Sequence, residues 1–317
     1  MDSGKKKLAI LIAGPTGVGK TRLSEMVAEA LPVEIVSADS RQIYKYMNIG
    51  TAKPGKKMLE KIPHHFVDIL EPDRHFSAGD FGELARQTVR EIFDRQRVPL
   101  IVGGSGLYIK ALLKGFFSGD VRDLKIREEL TRRMEKEGPE KMHRWLAEVD
   151  PASAAKIHPN NSQRILRALE VFLSSGRRLS DLQKNKLPDP DFETLRFALN
   201  SPRPLLYQRI NQRVLEMIGE GLVEEVRQLL GRGYSPQLNS LNTVGYKEII
   251  RHFNGEISLQ EAIELIQKNT RRYAKRQLTW FRADQELQWI EIQGLADLEN
   301  ACRIIVEQYN QRLEQFD

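Results

Sequence analysis

The chain has 317 residues, 40% of them hydrophobic and 29% charged, which is the balance of a globular protein with about two domains. Its longest apolar run, LAILIA, is shorter than the roughly 18 residues of a membrane span. The single cysteine, Cys302, excludes an internal disulfide and a cysteine-based zinc finger. The net charge of +6 suits a nucleic-acid partner without establishing one. Because the N-terminal stretch MDSGKKK lacks the apolar segment of a secretory signal, we expect a cytoplasmic protein with no membrane partner.

Strand-like and helical patterns alternate in the first third of the chain. The predicted elements are a strand at 7–13, a helix at 20–31, a strand at 34–37, a candidate third strand at 65–70 (HFVDIL), a helix at 77–97 and a strand at 98–102. Ser77 and Asp80 form a predicted capping box at the start of the second helix. This β-α order predicts a parallel sheet with helices on both faces.

The character of the sequence changes near residue 118. Residues 118–194 are charged, helical in period and without a strand-like run, and Pro188 and Pro190 lie near their end. The apolar segments LRFALN (195–200) and LQWIEI (287–292) then indicate a return to the sheet. The predicted fold is an α/β, P-loop NTPase-like core formed by 1–117 and 195–317, with an inserted all-helical domain at 118–194.

The segment GPTGVGKT directly follows the first predicted strand and opens the first predicted helix. It matches G-x-x-x-x-G-K-[ST], whose glycines let successive N–H groups point at phosphate oxygens near a helix N-terminus. Lys20 would reach the distal phosphate, and the Thr21 hydroxyl would bind Mg²⁺; an accidental glycine-rich turn is the alternative. The predicted phosphate loop consists of Gly14, Pro15, Thr16, Gly17, Val18, Gly19, Lys20 and Thr21.

The pattern does not say whose phosphate the loop holds. Nucleotide hydrolases of this type usually place an Asp after a buried strand to bind Mg²⁺, whereas the apolar strand PLIV is followed by GGSG. Asp68, in HFVDIL, could take that place. The occupant is therefore left open at this point.

An acidic residue follows the second predicted strand, in SADSRQIY. Asp39 and Ser40 would lie at the carboxyl edge of the sheet, where ligands of such folds bind. The carboxylate of Asp39 could bind Mg²⁺, act as a general base or cap the following segment. The amide of Gln42 suits the edge of an adenine base, and a solvated loop glutamine is the alternative.

Taken in order, these segments resemble the tRNA dimethylallyltransferase (isopentenyl-tRNA transferase) family. The resemblance is carried by GPTGVGKT, SADSRQIY, IGTAKP, IPHHFVDIL, IVGGSGLY, NNSQRILRALEVF, RINQRVLEMIGEGLVEEV, NTVGYKE and KRQLTWFR. It spans nearly the whole chain and matches the short bacterial form, without the zinc-finger tail of eukaryotic members. It implies transfer of a dimethylallyl group from dimethylallyl diphosphate to the exocyclic N6 amine of the adenosine 3′-adjacent to the anticodon, with release of diphosphate. The implied cofactor is Mg²⁺, the implied partner is the tRNA anticodon stem-loop, and we expect a monomer.

The resemblance also implies roles for individual residues. The phosphate loop would hold the diphosphate, with Lys20 and Thr21 stabilising its charge, and Asp39 would be the base. Ser40, Arg41 and Gln42 would contact an adenine flipped out of the anticodon loop. Arg209 and Arg213, four residues apart on one helix face, would clamp the diphosphate, with Arg213 the stronger candidate; an exposed basic stripe beside Glu216 and Glu220 is the alternative.

Two basic regions are predicted to bind the tRNA. Residues 268–282 carry six cations, no acids and three aromatics, on a helix that begins with a capping box of Ser258 and Glu261. Trp280 and Phe281 could stack on bases, but packing in the core is favoured. We expect RNA between core and insertion. Ser105 and Tyr108, after the strand PLIV, would line the RNA channel. The predicted tRNA contacts beyond residues 39–42 are Ser105, Arg127, Gln163, Arg164, Arg167, Arg272, Lys275 and Arg276.

Two other functions compete with prenyl transfer. A small-molecule P-loop kinase would use the insertion as a lid and turn over ATP. A non-catalytic RNA-binding protein would keep the loop without turnover. The extent of the basic faces favours the prenyltransferase, and the resemblance along the whole chain favours it more strongly.

Overall fold

A computed structural model of the chain describes residues 7–115, 123–184 and 189–315. Part of the predicted insertion boundary (residues 118–122) and Pro188 lie outside the described residues. The strands are β1 (Leu8–Ala13), β2 (Val33–Ala38), β3 (His64–His65), β4 (Val98–Gly103), β5 (Glu193–Asn200) and β6 (Gln288–Glu291). The helices are α1 (Lys20–Ala30), α2 (Lys56–Lys61), α3 (Ala78–Asp94), α4 (Gly106–Lys114), α5 (Leu124–Glu137), α6 (Pro139–Val149), α7 (Pro151–Ala154), α8 (Ser162–Ser175), α9 (Leu179–Leu182), α10 (Arg203–Gly219), α11 (Leu222–Gly231), α12 (Tyr246–Phe253), α13 (Leu259–Phe281) and α14 (Leu295–Glu314).

The six strands form one parallel sheet in the order β3-β2-β4-β1-β5-β6. Every residue of β1 and β2 is buried, as expected for strands that are covered on both sides. Because right-handed crossovers that run in opposite directions along a sheet lie on opposite faces, the strand order places helices on both faces. The predicted α/β fold class is confirmed.

The order of the strands brings three loops to one edge of the sheet. β1 lies between β4 and β5, and β4 lies between β1 and β2, so the segments after β1, β2 and β4 start side by side. These segments begin at Gly14, Asp39 and Gly104. The carboxyl edge of a parallel sheet is where α/β proteins bind their ligands, and the predicted phosphate loop and the predicted base are both found there.

The chain divides into two compact units, one of 1–76, 84–109 and 190–317 and the other of 77–83 and 110–189. The first has a core built on the sheet, with Ile10, Leu100 and Phe197 fully buried. The second has its own core in α5–α9, which includes Leu146 and Ile165. The sequence interpretation puts the insertion at 118–194, a range that also contains the start of β5 at Glu193.

The predicted strand at 65–70 is wrong in extent, because β3 consists of His64 and His65 alone. Phe66 and Asp68 have φ angles of 64° and 57°, which an extended strand does not allow. The N–H groups of residues 68–70 donate instead to the carbonyl oxygens of Gln42 and Ile43. A loop-to-loop contact therefore replaces the strand. Among the helices within the described ranges, none has both the length and the apolar character needed to cross a membrane.

Candidate active site

A cavity of about 910 Å³ lies at the carboxyl edge of the sheet, within the first compact unit. It is lined by residues of the predicted phosphate loop, of the segment after β2, of α10 and of α13. A second cavity of about 620 Å³ shares Ala52, Pro54, Arg213, Glu216 and Met217 with it. The first cavity therefore brings the predicted phosphate loop and the predicted base together.

The phosphate loop depends on glycine at defined positions. Gly14 has a φ of 145°, and a Cβ there would lie 2.8 Å from the carbonyl oxygen of Leu199 on β5. Gly19 has a φ of 109° and stands immediately before α1. Because L-residues with side chains rarely adopt these angles, the two glycines permit the curl that leads from β1 into the helix N-terminus. The structure thus places residues 14–21 between strand and helix, as predicted.

Lys20 is held against its own loop. Its Nζ donates to the carbonyl oxygens of Gly14 and Pro15, at 2.9 and 2.8 Å. Burial lowers the pKa of Lys20 to about 8, the carboxylate of Asp39 opposes that shift and the charge of Arg213 adds to it. The site therefore holds a lysine whose charge is poorly solvated and would gain from an anion.

The two arginines predicted to clamp a diphosphate differ in their surroundings. Arg213 lines the cavity, and burial lowers its pKa, which Glu216, Asp39 and Glu220 oppose. Its guanidinium makes no hydrogen bond with any residue the structure describes. Arg209 also lines the cavity, but its Nη2 donates to the carbonyl oxygen of Gln293 at 2.6 Å. Of these two arginines, Arg213 is the one whose guanidinium lacks a hydrogen-bond partner among the described residues.

Asp39 lines the same cavity and caps the turn that follows it. Its Oδ1 accepts from the N–H groups of Arg41 at 2.8 Å and Gln42 at 3.4 Å. Its second oxygen has no hydrogen-bond partner in the described part of the chain. The capping alternative is therefore correct for one oxygen and leaves the other available to a substrate.

The residues after Asp39 have internal partners as well. The Ser40 N–H donates to the hydroxyl of Ser105 at 3.1 Å, and an Arg41 Nη1 donates to the carbonyl oxygen of Asn239 at 2.8 Å. The Gln42 Nε2 donates to the carbonyl oxygens of Thr51 and Ala52, at 3.3 and 3.1 Å. The orientation of that amide is therefore fixed, with its oxygen toward the Ser37 hydroxyl at 3.2 Å.

Three side chains that sequence reasoning missed complete the surroundings of the site. Tyr273 lines the cavity, and burial together with the charge of Asp39 raises its pKa to about 12, a shift that Ser105 opposes. Gln277, on α13, accepts from the N–H of Thr16. Glu225, on α11, accepts from the N–H groups of residues 48–50 and from the hydroxyl of Tyr246. For Gln277 and Glu225 the only signal in the sequence is their place within segments of the resemblance, and Tyr273, two residues before KRQLTWFR, lacks even that signal.

The predicted basic face on α13 is exposed. Arg272, Lys275 and Arg276 are exposed, and Arg276 also lines the cavity. Phe281 is buried in the core, whereas Trp280 is 40% exposed and its indole lies against Gly106. The expected packing in the core is therefore found for Phe281 and only in part for Trp280.

The other predicted tRNA contacts have mixed surroundings. On α8 of the second unit, Gln163 and Arg164 are exposed. Arg127 and Arg167 both reach the buried carboxylate of Glu170, at 3.4 and 3.3 Å, so part of their charge is already compensated. Tyr108, predicted to line an RNA channel, is instead buried, with its ring 6.2 Å from that of Phe76.

The site offers a limited set of ligands for a divalent cation. No three His, Cys, Asp or Glu side chains converge anywhere in the described residues. The side chain of Thr21 is exposed at the start of α1, and its hydroxyl makes no hydrogen bond to the rest of the described chain. Mg²⁺ at phosphate-binding sites typically takes one or two protein oxygens and fills its shell with phosphate oxygens and water. The residues present therefore fit an ion bound together with a diphosphate.

Comparison with known proteins places the chain in a family. A model of the IPP transferase family matches residues 42–284. The chain is 47% identical to a tRNA dimethylallyltransferase of Geobacter sulfurreducens, over 91% of this chain and 93% of that one. It is 45% identical to the corresponding protein of Pelotomaculum thermopropionicum, over 93% of this chain and 94% of that one.

Solved structures agree with this comparison. A full-length tRNA isopentenylpyrophosphate transferase of Bacillus halodurans superposes with a TM-score of 0.71 at 39% identity, covering 98% of both chains. A eukaryotic dimethylallyltransferase acting on tRNA superposes with a TM-score of 0.81 at 26% identity, covering 98% of this chain and 80% of that one. With the fold and most of its length matched, the chain belongs to the IPP transferase family of tRNA dimethylallyltransferases.

Proposed function

We propose that the protein transfers a dimethylallyl group from dimethylallyl diphosphate to the N6 amine of the adenosine 3′-adjacent to the anticodon in tRNA. The observation that carries the proposal is one cavity lined by the predicted phosphate loop, by Arg213 and by Asp39. Among the described residues, the guanidinium of Arg213 and one carboxylate oxygen of Asp39 have no hydrogen-bond partner. Leaving-group stabilisation and proton removal need those groups together. Relatives across most of the chain are named for this reaction.

The loop would stabilise the leaving diphosphate. Breaking the bond between the allylic carbon and oxygen leaves negative charge on the diphosphate, and fixed N–H groups and cations lower the energy of that charge. Lys20 and Arg213 are partly buried cations that line the same cavity, so an anion restores the solvation that they lack. We propose that Thr21 holds Mg²⁺ with the diphosphate, where the ion supplies further neutralisation.

Asp39 would remove the proton from the attacking amine. The N6 nitrogen forms a bond to the allylic carbon as the carbon–oxygen bond breaks, and one N6 proton passes to the carboxylate. The lone pair of an adenine amine is delocalised into the ring, so a positioned base contributes about 10²–10⁴ in rate. The two N–H groups that bind Oδ1 keep the other oxygen in a fixed direction.

The acceptor base has to leave the anticodon stack to reach this cavity. We propose that Ser40, Arg41 and Gln42 contact the flipped adenine, with Ser105 supporting Ser40. The tRNA backbone would lie on the basic residues of α13, together with Gln163, Arg164, Arg127 and Arg167 of the second unit. We also propose that the protein acts as a monomer, and the tRNA substrate suits the cytoplasm.

The relatives do not favour the alternative of a small-molecule kinase. One experiment distinguishes prenyl transfer from kinase activity. Purified protein is incubated with Mg²⁺, unmodified tRNA and dimethylallyl diphosphate, with ATP replacing the prenyl donor in a parallel reaction. Nucleosides from the digested tRNA are then analysed by mass spectrometry. We expect a prenylated adenosine only with the prenyl donor. ADP accumulation without a prenylated nucleoside would overturn the proposal.

A further inference from the structure

A buried glutamine of α13 joins two loops at the edge of the sheet. Gln277 is 6% exposed, its Oε1 accepts from the N–H of Thr16 at 3.0 Å, and its Nε2 donates to the carbonyl oxygen of Gly104 at 2.9 Å. Thr16 belongs to the phosphate loop, and Gly104 is the first residue after β4. One side-chain amide thus pairs a donor on one loop with an acceptor on the other.

The position requires a carboxamide. The group facing Thr16 has to accept and the group facing Gly104 has to donate, so the orientation of the amide is determined by its partners. The amide also packs closely against Gly104: a Cβ on Gly104 would lie 2.2 Å from the Nε2 of Gln277 and 3.3 Å from the carbonyl oxygen of Gly14. A carboxylate here would set an oxygen against the Gly104 carbonyl, and an alkyl group would leave both backbone groups without a partner.

Lys20 holds the same loop, but it also carries the charge that a diphosphate would attract. Its Nζ donates to the carbonyl oxygens of Gly14 and Pro15, and the charged ammonium keeps a third N–H for a phosphate oxygen. Within the part of the chain that the structure describes, Gln277 is the other side chain that hydrogen-bonds to the backbone of residues 14–19. Gln277 therefore holds the loop through hydrogen bonds that compete with no ligand.

We infer that Gln277 is a positioning residue of the diphosphate site. It holds the first half of the phosphate loop in the shape in which the later N–H groups of the loop meet the diphosphate. It acts from the helix that also carries the proposed tRNA face, although it touches neither substrate. The inference rests on the proposed function in assigning the loop to a diphosphate.

The first test measures binding of inorganic diphosphate with Mg²⁺ by isothermal titration calorimetry. Gln277→Leu keeps the size of the side chain and removes both hydrogen bonds. We expect about tenfold weaker diphosphate binding and a comparable rise in the KM for dimethylallyl diphosphate, with the KM for tRNA little changed. Gln267→Leu is the matched control, because Gln267 is on the same helix and donates to a different carbonyl oxygen, that of Asn211, at 3.2 Å. We expect that variant to bind as the wild type does.

The second variant, Gln277→Glu, tests the hydrogen bonds themselves. At low pH the introduced carboxyl group is protonated and can donate to Gly104 while accepting from Thr16. At higher pH it is charged and repels the Gly104 carbonyl. We therefore expect its diphosphate affinity, relative to wild type at the same pH, to recover as the pH falls. Because the charged carboxylate also repels diphosphate directly, the informative comparison is at low pH, where this variant should bind more tightly than Gln277→Leu. This variant also carries the test where the leucine variant does not fold.

The outcomes separate the inference from the function on which it rests. Wild-type binding of diphosphate with unchanged affinity in Gln277→Leu would overturn the inference alone. A Gln277→Glu affinity that follows the wild type at every pH would do the same. Failure of the wild type to bind diphosphate would overturn the assignment of the loop, and with it the proposed function.

Discussion

In Asp39 the two carboxylate oxygens have different surroundings. Oδ1 accepts two backbone N–H groups of the turn at residues 41 and 42, while the other oxygen has no hydrogen-bond partner among the described residues, and the residue lines the cavity. Capping and catalysis are therefore not exclusive at this residue. The capped turn restricts the side chain, which keeps the free oxygen directed for proton transfer at little cost in rotamer entropy.

Replacing Asp39 by asparagine should separate these two properties. The amide oxygen of the variant can still accept from the turn, so the fold and tRNA affinity should be retained. The basic oxygen is lost, and we expect the single-turnover rate of prenylation to fall by about 10²–10⁴. Asp68→Asn is the control, since Asp68 forms an ion pair with Lys53 and lines the second cavity. Near-normal turnover of Asp39→Asn would contradict the assignment of the base.

The pKa of Lys20, lowered by burial to about 8, predicts a pH dependence of diphosphate binding. Below that pH the ammonium is charged and attracts the anion; above it the free protein holds a neutral amine. The affinity should therefore be full on the acidic side and decline by up to about tenfold per pH unit on the alkaline side.

Lys20→Arg isolates the contribution of this one group. A guanidinium stays charged throughout the range, so the ratio of wild-type to variant affinity for inorganic diphosphate should fall as the pH rises through about 8. Titration of diphosphate itself cancels in that ratio. A ratio independent of pH would show that Lys20 does not carry the dependence.

At the scale of elements, α11 anchors the loop that follows the predicted base. Glu225 accepts from the N–H groups of Asn48, Ile49 and Gly50, at 2.8, 2.8 and 3.1 Å, and from the Tyr246 hydroxyl at 2.6 Å. The next two carbonyl oxygens of that loop hold the amide of Gln42. One carboxylate thus determines the shape of a loop that supports the proposed adenine contact.

Glu225→Gln should loosen this loop. An amide offers one acceptor in place of two charged oxygens, and we expect a loss of about 2–3 kcal/mol in stability. Hydrogen exchange at residues 48–50 should accelerate, and kcat/KM for tRNA should fall. Glu224→Gln is the control, because Glu224 is the exposed neighbour on the same helix and pairs with Arg227. Equal exchange rates in the two variants would exclude the anchoring role.

Local patterns predict the elements better than the contacts between them. The capping boxes at Ser77 and Ser258 are confirmed, because the signal lies within four residues. The bond from Thr16 to Gln277 joins residues 261 positions apart, and no periodicity encodes such a pairing. Contacts distant in sequence also explain why the predicted strand at 65–70 is wrong in extent. The strand ends at His65 because positive φ angles follow and residues 68–70 hydrogen-bond to residues 42 and 43.

At the scale of the whole molecule, sequence reasoning predicts the parallel sheet and places the phosphate loop and Asp39 at its carboxyl edge. The order of the strands in the sheet could not be predicted from the sequence, because the pairing of β1 with both β4 and β5 depends on crossovers that local patterns do not reveal. The helical character of the insertion is local and readable. Its limits are set by which residues share a core, so they cannot be read from composition.

The net charge of +6 is spread over both compact units, and salt dependence can locate the part that meets tRNA. Each phosphate contact lowers the affinity by about 0.7–0.9 log units per log unit of salt. Replacing Arg272, Lys275 and Arg276 together by alanine should therefore reduce the slope by about 2–3. Arg164→Ala in the second unit should reduce the salt slope by about one more. Filter binding of unmodified tRNA across a salt series measures both.

A charge-matched variant distinguishes contacts from overall charge. Replacing Lys57, Arg132 and Arg303, three exposed cations outside the proposed tRNA face, removes the same net charge from the protein. Counterion release depends on phosphates neutralised at the interface, whereas overall charge acts mainly on long-range attraction. We expect this control to leave the salt slope close to that of the wild type. Equal reductions in the control and in the α13 variant would mean that α13 does not form the tRNA interface.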